Sequence, residues 1–185
     1  MKFFKIALLL IVVWFGFGQS LCLSQPLKSC IPEQKSFDWR NVGKVVTSVK
    51  DRGTCGSEWA FASLAAWEGS YFIKNNSSVD PSVQYLINSG KSGTCMGGWW
   101  AFEELRTTGT ATAASVPYVA KNGSNPPKVA TPYRAANWGY VSKSPLPISY
   151  APIPSPAEIK KAMCLHGPIV AALYTDGVLL KKLKL

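Results

Sequence analysis

Asp51-Arg52-Gly53-Thr54-Cys55-Gly56-Ser57-Glu58-Trp59-Ala60-Phe61 is the stretch whose reading decides the fold. Its first half is a turn-forming loop and its second half opens a helix. Ser57 is the N-cap candidate, because its side-chain oxygen can accept from the first free backbone N–H groups. Behind it, Phe61, Leu64, Ala65, Glu68 and Phe72 recur at three- and four-residue steps, with Trp59 and Trp67 adding aromatic bulk. The spacing predicts a helix over 57–73, closed by the turn-formers Asn75-Asn76-Ser77-Ser78. Glu58 then stands at the first helical position, where the helix dipole favours a carboxylate by roughly 0.3–1 kcal/mol.

Outward from that stretch, further landmarks follow in order. They are Phe37-Asp38-Trp39-Arg40, Val45–Val49 before Asp51-Arg52-Gly53, Ser82-Val83-Gln84-Tyr85-Leu86-Ile87-Asn88, Cys95-Met96-Gly97-Gly98-Trp99, Pro117-Tyr118, and Ala162 to Leu173 with Gly167-Pro168-Ile169-Val170. Together with Cys55-Gly56-Ser57-x-Trp59, this ordered set resembles the papain-like cysteine proteases, whose signature around the nucleophile is C-G-[SA]-C-[WY]. Every place of that signature is filled except the nucleophile, where Glu58 stands. The resemblance implies an α+β fold. Its helical left domain is complete over 37–115, and its β-barrel right domain is truncated over 116–185.

The resemblance also sets what the chemistry would need. A thiol protease requires a thiolate near a helix N-terminus, a histidine to carry the proton, and an oxyanion hole. The family's histidine and asparagine lie about 130–150 residues after the cysteine, a window that opens beyond Leu185. The one histidine, His166, falls at a helix end by the family alignment and is assigned no role. Glu58 does not substitute for cysteine, since a carboxylate attacks amides feebly and would form a mixed anhydride. Arg52 stands where the family places its oxyanion-hole glutamine. Two readings of Arg52 and Glu58 stand side by side: an ion pair across a defunct hole, or two separately solvated side chains. The expectation is therefore no functional catalytic residue, no metal site and no cofactor.

Gly97, Gly98 and Trp99 match the family's substrate-cleft wall, and bare glycines invite strand-like pairing with an extended peptide. Trp100 is read as left-domain core; Trp99 is open between core and cleft. The resemblance pairs Cys55 with Cys95. Ser89 takes the place of a cysteine in a second family bridge, whose partner is also missing. Cys30 and Cys164 are then left over, and their pairing is a hypothesis.

Composition bounds the rest. The 185 residues are 47% hydrophobic, with 20 basic against 10 acidic residues. Five of the 20 lie in the two tails, as Lys2, Lys5, Lys181, Lys182 and Lys184. No long basic run is interleaved with aromatics, so nucleic acid is not expected as a partner. Lys2 and Lys5 ahead of the apolar run Ile6–Phe15 read as a signal peptide over 1–24, with cleavage after Ser24 favoured over Ser20. That predicts a secreted protein with no membrane attachment after processing, and an oxidising surrounding in which cysteines pair. Residues 25–36 form a short lead-in in place of a long prodomain. Asn75, Asn76 and Asn122 open N-x-[ST] sequons, equally readable as ordinary loop asparagines.

Smaller elements complete the prediction. Helices are expected over 82–88, over 99–107 with Trp100, Phe102 and Leu105 on the long helix, and over 156–165, where Pro156 takes the first position and Ser155 and Glu158 stand at capping-box spacing. Tyr140-Val141 reads as a short strand and Pro168–Tyr174 as an apolar strand. Two functional readings lead. One is a non-catalytic peptidase homologue that binds a peptide or protein ligand. The other is a degenerate or truncated product of a cysteine-type endopeptidase gene, suggested by the tail Leu179–Leu185. An enzyme completed by a second chain ranks last.

Overall fold

The computed structural model describes residues 30–142 and 153–172. The expected signal peptide, the segment Pro145–Pro152 and the tail Leu179–Leu185 lie outside the described residues. The elements are helix α1 (Glu58–Asn75), helix α2 (Val83–Ser89), a hairpin of β1 (Gly93–Thr94) and β2 (Gly97–Gly98), helix α3 (Phe102–Thr107) and helix α4 (Pro156–His166). A 3₁₀ turn at Trp39–Asn41 precedes them.

Helix α1 is the axis of the molecule. It buries Trp59, Ala60, Leu64 and Trp67 against Val83, Leu86 and Ile87 of α2, Leu105 of α3, and Ala101 and Ala135. Gly69 on the same helix admits a close neighbour, because a Cβ there would lie 2.7 Å from Pro168 and 2.9 Å from the Val45 carbonyl. Asn76 ends α1 in the left-handed region, at φ 49°, with its N–H on the Phe72 carbonyl. Ser82 caps α2 by accepting from Tyr85 N–H. Ser155 and Glu158 form the expected capping box on α4, with Pro156 first in the helix.

Several expectations are corrected. Ser57 precedes α1, yet its side chain makes no cap bond; its hydroxyl turns to Tyr118 instead. Helix α3 starts at Phe102 rather than Trp99. The backbone before it is already engaged, with Trp99 N–H on the Ser92 carbonyl (2.9 Å) and Ala101 N–H on Ser63 Oγ (2.9 Å). The β1–β2 hairpin itself was not foreseen, since glycine is poor strand material. It forms because Gly93 and Gly98 face each other where a Cβ on either would meet the Trp59 ring within 2.8 Å. Tyr140-Val141 and the described part of the 168–174 run are not in strands, for neither finds a ladder partner among the described residues.

Two disulfides bind the described chain. Cys55 joins Cys95 across 40 residues, and Cys30 joins Cys164 across 134. By loop-closure entropy these contribute roughly 4 and 5 kcal/mol. The second ties the N-terminal arm to α4, which buries no residue of its own and is held further by Ser70 Oγ donating to the His166 carbonyl (2.5 Å).

Candidate functional site

The site is assembled from the loop ahead of α1 and the hairpin beside it. Asp51 Oδ1 accepts from Gly53 N–H (2.8 Å), an Asx turn that bends the chain. Gly53 takes φ 58°, which only glycine adopts cheaply. Gly56 N–H donates to the Cys95 carbonyl (2.9 Å), and a Cβ on Gly56 would stand 2.7 Å from that oxygen. The Cys55–Cys95 disulfide closes the same junction, with its Cα atoms 4.6 Å apart. Loop, helix start and hairpin are thereby one rigid corner.

Arg52 and Glu58 meet in that corner, with Arg52 Nε 2.7 Å from Glu58 Oε1. Arg52 Nη1 also donates to the carbonyls of Gly53 (3.0 Å) and Cys55 (3.1 Å). The side chains keep 42% and 62% of their exposure, so solvent screens the pair. Glu58 is the first residue of α1, at the positive end of its dipole.

Tyr118 supports this corner from behind. Its hydroxyl donates to the Arg52 carbonyl (2.7 Å). With that proton committed, Ser57 Oγ is the donor in the 2.8 Å bond between the two hydroxyls. Sequence reading placed Tyr118 only as a landmark, because its partners lie 61 and 66 positions away. Asn122 is another such residue: its Oδ1 accepts from Cys95 N–H (2.7 Å). Gln84 orients the same loop, accepting from Val119 N–H (3.0 Å) and donating to the Lys121 carbonyl (2.8 Å).

Gly97 and Gly98 are exposed on β2, whose pairing with β1 uses one edge. Trp59 Nε1 donates to the Thr94 carbonyl (3.1 Å) and fixes the hairpin to α1. Trp99 is 49% exposed beside it. Trp100 is not core, contrary to expectation. It packs on Trp99 at 4.1 Å between ring centroids and donates from Nε1 to the Tyr140 hydroxyl (3.3 Å), because the hairpin carries both indoles past the edge of the core. Ser89 directs its hydroxyl to the buried Glu104 carboxylate, which also accepts from Ser92 Oγ (2.7 Å).

His166 stands apart. Its carbonyl is anchored at Ser70, twelve positions after Glu58 on α1, roughly 18 Å along the helix axis at 1.5 Å per residue. The four cysteines among the described residues are all in disulfides. Among the described residues no group of three or more His, Cys, Asp or Glu is arranged to hold a metal. What the corner presents is a carboxylate, a guanidinium and an exposed glycine edge.

The family model described as papain family cysteine protease matches residues 33–181. Digestive cysteine proteinase 2 of Homarus americanus is 40% identical over 106 residues, covering 54% of this chain and 32% of its own length. The cathepsin L-like peptidase of Aedes aegypti is 37% identical over 163 residues, covering 77% of this chain and 44% of its own. Among solved structures, the bromelain protease of Ananas comosus in complex with an inhibitor is 40% identical, with a TM-score of 0.46, and the match covers 49% of this chain and 43% of that one. The chain spans less than half the length of the curated relatives it matches.

Proposed function

Because the chain belongs to the papain family of cysteine proteases and is α+β in architecture, we propose that it is an exported, non-catalytic member of that family that holds extended peptide or protein segments along β2. The observation that carries this reading is the Arg52–Glu58 contact at the nucleophile position. A carboxylate engaged by a guanidinium is a poor nucleophile, and attack on an amide would end in an anhydride less stable than the bond it broke. No thiolate is on offer among the described cysteines, and the His166 carbonyl is bonded at Ser70, roughly 18 Å along α1 from Glu58. Export is supported by the two disulfides, which persist in oxidising compartments. Peptide binding is supported by the exposed Gly97-Gly98 edge, where side chains leave the main chain uncovered.

The test is an assay of the purified chain against casein and fluorogenic peptides, run beside titration calorimetry with the same peptides. The expected result is heat of binding without turnover. Turnover that a thiol-directed covalent inhibitor abolishes would overturn the proposal.

A further inference from the structure

Away from the glycine edge, a cavity of about 240 Å³ opens between α1, the start of α2 and the loop carrying Tyr118. Phe61, Pro81, Val83, Val116 and the Tyr118 ring give it apolar and aromatic walls, and Asp51, Asp80 and Lys50 supply its charges. Lys50 is already committed: its Nζ lies 2.9 Å from Glu68 Oε1 and 3.2 Å from Asp80 Oδ1. Asp51 spends Oδ1 on Gly53 N–H and Asp80 spends Oδ1 on Lys50; among the described residues the second oxygen of each carries no bond. The lining therefore carries one ammonium and two carboxylates, and the ammonium is already shared with the buried Glu68, so the cavity is net negative.

We propose that this cavity takes the side chain of an arginine presented by a protein partner. The volume is that of one long side chain, below the roughly 300–1,000 Å³ of small-molecule sites. A guanidinium satisfies both features at once, because its plane lies on aromatic faces while its N–H groups fork onto carboxylates. Phe61 and Tyr118 stand edge to face, with centroids 5.0 Å apart, and offer such faces. Occupancy is felt at the corner described above, since Tyr118 holds the Arg52 carbonyl and Asp51 is the residue before Arg52. This inference does not depend on the peptide-binding reading of β2.

The test is NMR titration of the whole chain with N-acetyl-arginine amide and with its neutral isostere N-acetyl-citrulline amide, up to about 10 mM, the weak end for a single-residue ligand. The arginine probe is expected to shift the resonances of Val83, Ala113 and Val116, with citrulline roughly tenfold weaker. The double variant Asp51→Asn with Asp80→Asn, which keeps the Lys50–Glu68 contact, is expected to lose a similar factor. A Gly-Gly-Arg-Gly-Gly peptide is expected to bind at least as well as the capped amino acid. Equal binding of citrulline, no shift at those residues, or unchanged affinity in the variant overturns the site. Exclusion of the peptide while the capped amino acid binds overturns the protein-partner assignment. The citrulline comparison needs no mutation, so a misfolded variant does not rescue the idea.

Discussion

Arg52 reaches Glu58 with Nε at 2.7 Å while its Nη1 grips the carbonyls of Gly53 and Cys55. The two residues are unequal partners. Glu58 gains a screened ion pair and the helix dipole, each worth at most about 1 kcal/mol and both weakened by its exposure. Arg52 also satisfies two loop carbonyls by charge-assisted bonds. Arg52→Ala is expected to lower stability by about 1–2 kcal/mol and Glu58→Ala by less than about 1 kcal/mol. Urea unfolding of the two single variants checks the order.

Restoring sulfur is not expected to restore activity. Glu58→Cys would place a thiol at the helix N-terminus, but His166 is anchored roughly 18 Å away along α1. A thiolate without a proton carrier acylates at best. The variant should react with a thiol-directed label yet show no multiple turnover of a fluorogenic peptide.

Glu68 is a buried carboxylate, its side chain 3% exposed and held by Lys50 and by Thr47 Oγ1 at 2.8 Å. Burial pulls the Lys50 ammonium toward its neutral form, but its bonds to Glu68 and Asp80 outweigh this, and its pKa stands above the ordinary value. Lys50→Met leaves a buried charge with one hydroxyl for company. The expected cost is about 2–3 kcal/mol, below the full range for buried pairs because Lys50 is partly solvated. Chemical denaturation of the variant measures it.

Gly56 has no room for a methyl group. Gly56→Ala would force a Cβ to within 2.7 Å of the oxygen that its own N–H bonds, at a junction a disulfide prevents from opening. The expected destabilisation is about 1–3 kcal/mol. Thermal unfolding with the disulfides intact checks it.

Acid should act through surface carboxylates. The Arg106 guanidinium, with the Trp138 indole N–H, holds Glu103 at about 2 against a usual 4.5. The side-chain bond from Arg40 lowers Asp38, and the Ser155 backbone N–H lowers Glu158. A depressed carboxylate contributes stability above its unfolded pKa, and that contribution is lost as pH falls through the folded value. For Glu103 the window runs from about 4.5 down to about 2. Arg106→Ala should move the Glu103 titration upward in carboxyl NMR, and its stability deficit should vanish at the acid end of the window.

The parts legible in the residues were those with local causes. The capping box of Ser155 and Glu158, and the close of α1 among the turn-formers after Asn75, each draw on partners within four positions. The misreadings came where a distant partner outbid the local one. Ser57 has cap chemistry but spends its hydroxyl on Tyr118, 61 positions on. Trp99 and Trp100 fit a helical period, yet the hairpin claims the backbone beneath them.

Family, helical positions and the displacement of sulfur by Glu58 all follow from residue identity, because a motif and a period are properties of neighbours along the chain. Where Tyr118 docks, why Glu68 is buried, and which walls enclose the Asp51–Asp80 cavity follow only from packing. Those arrangements join groups 18 to 66 positions apart, and no short-range preference specifies which of many possible partners a side chain meets once the core has closed.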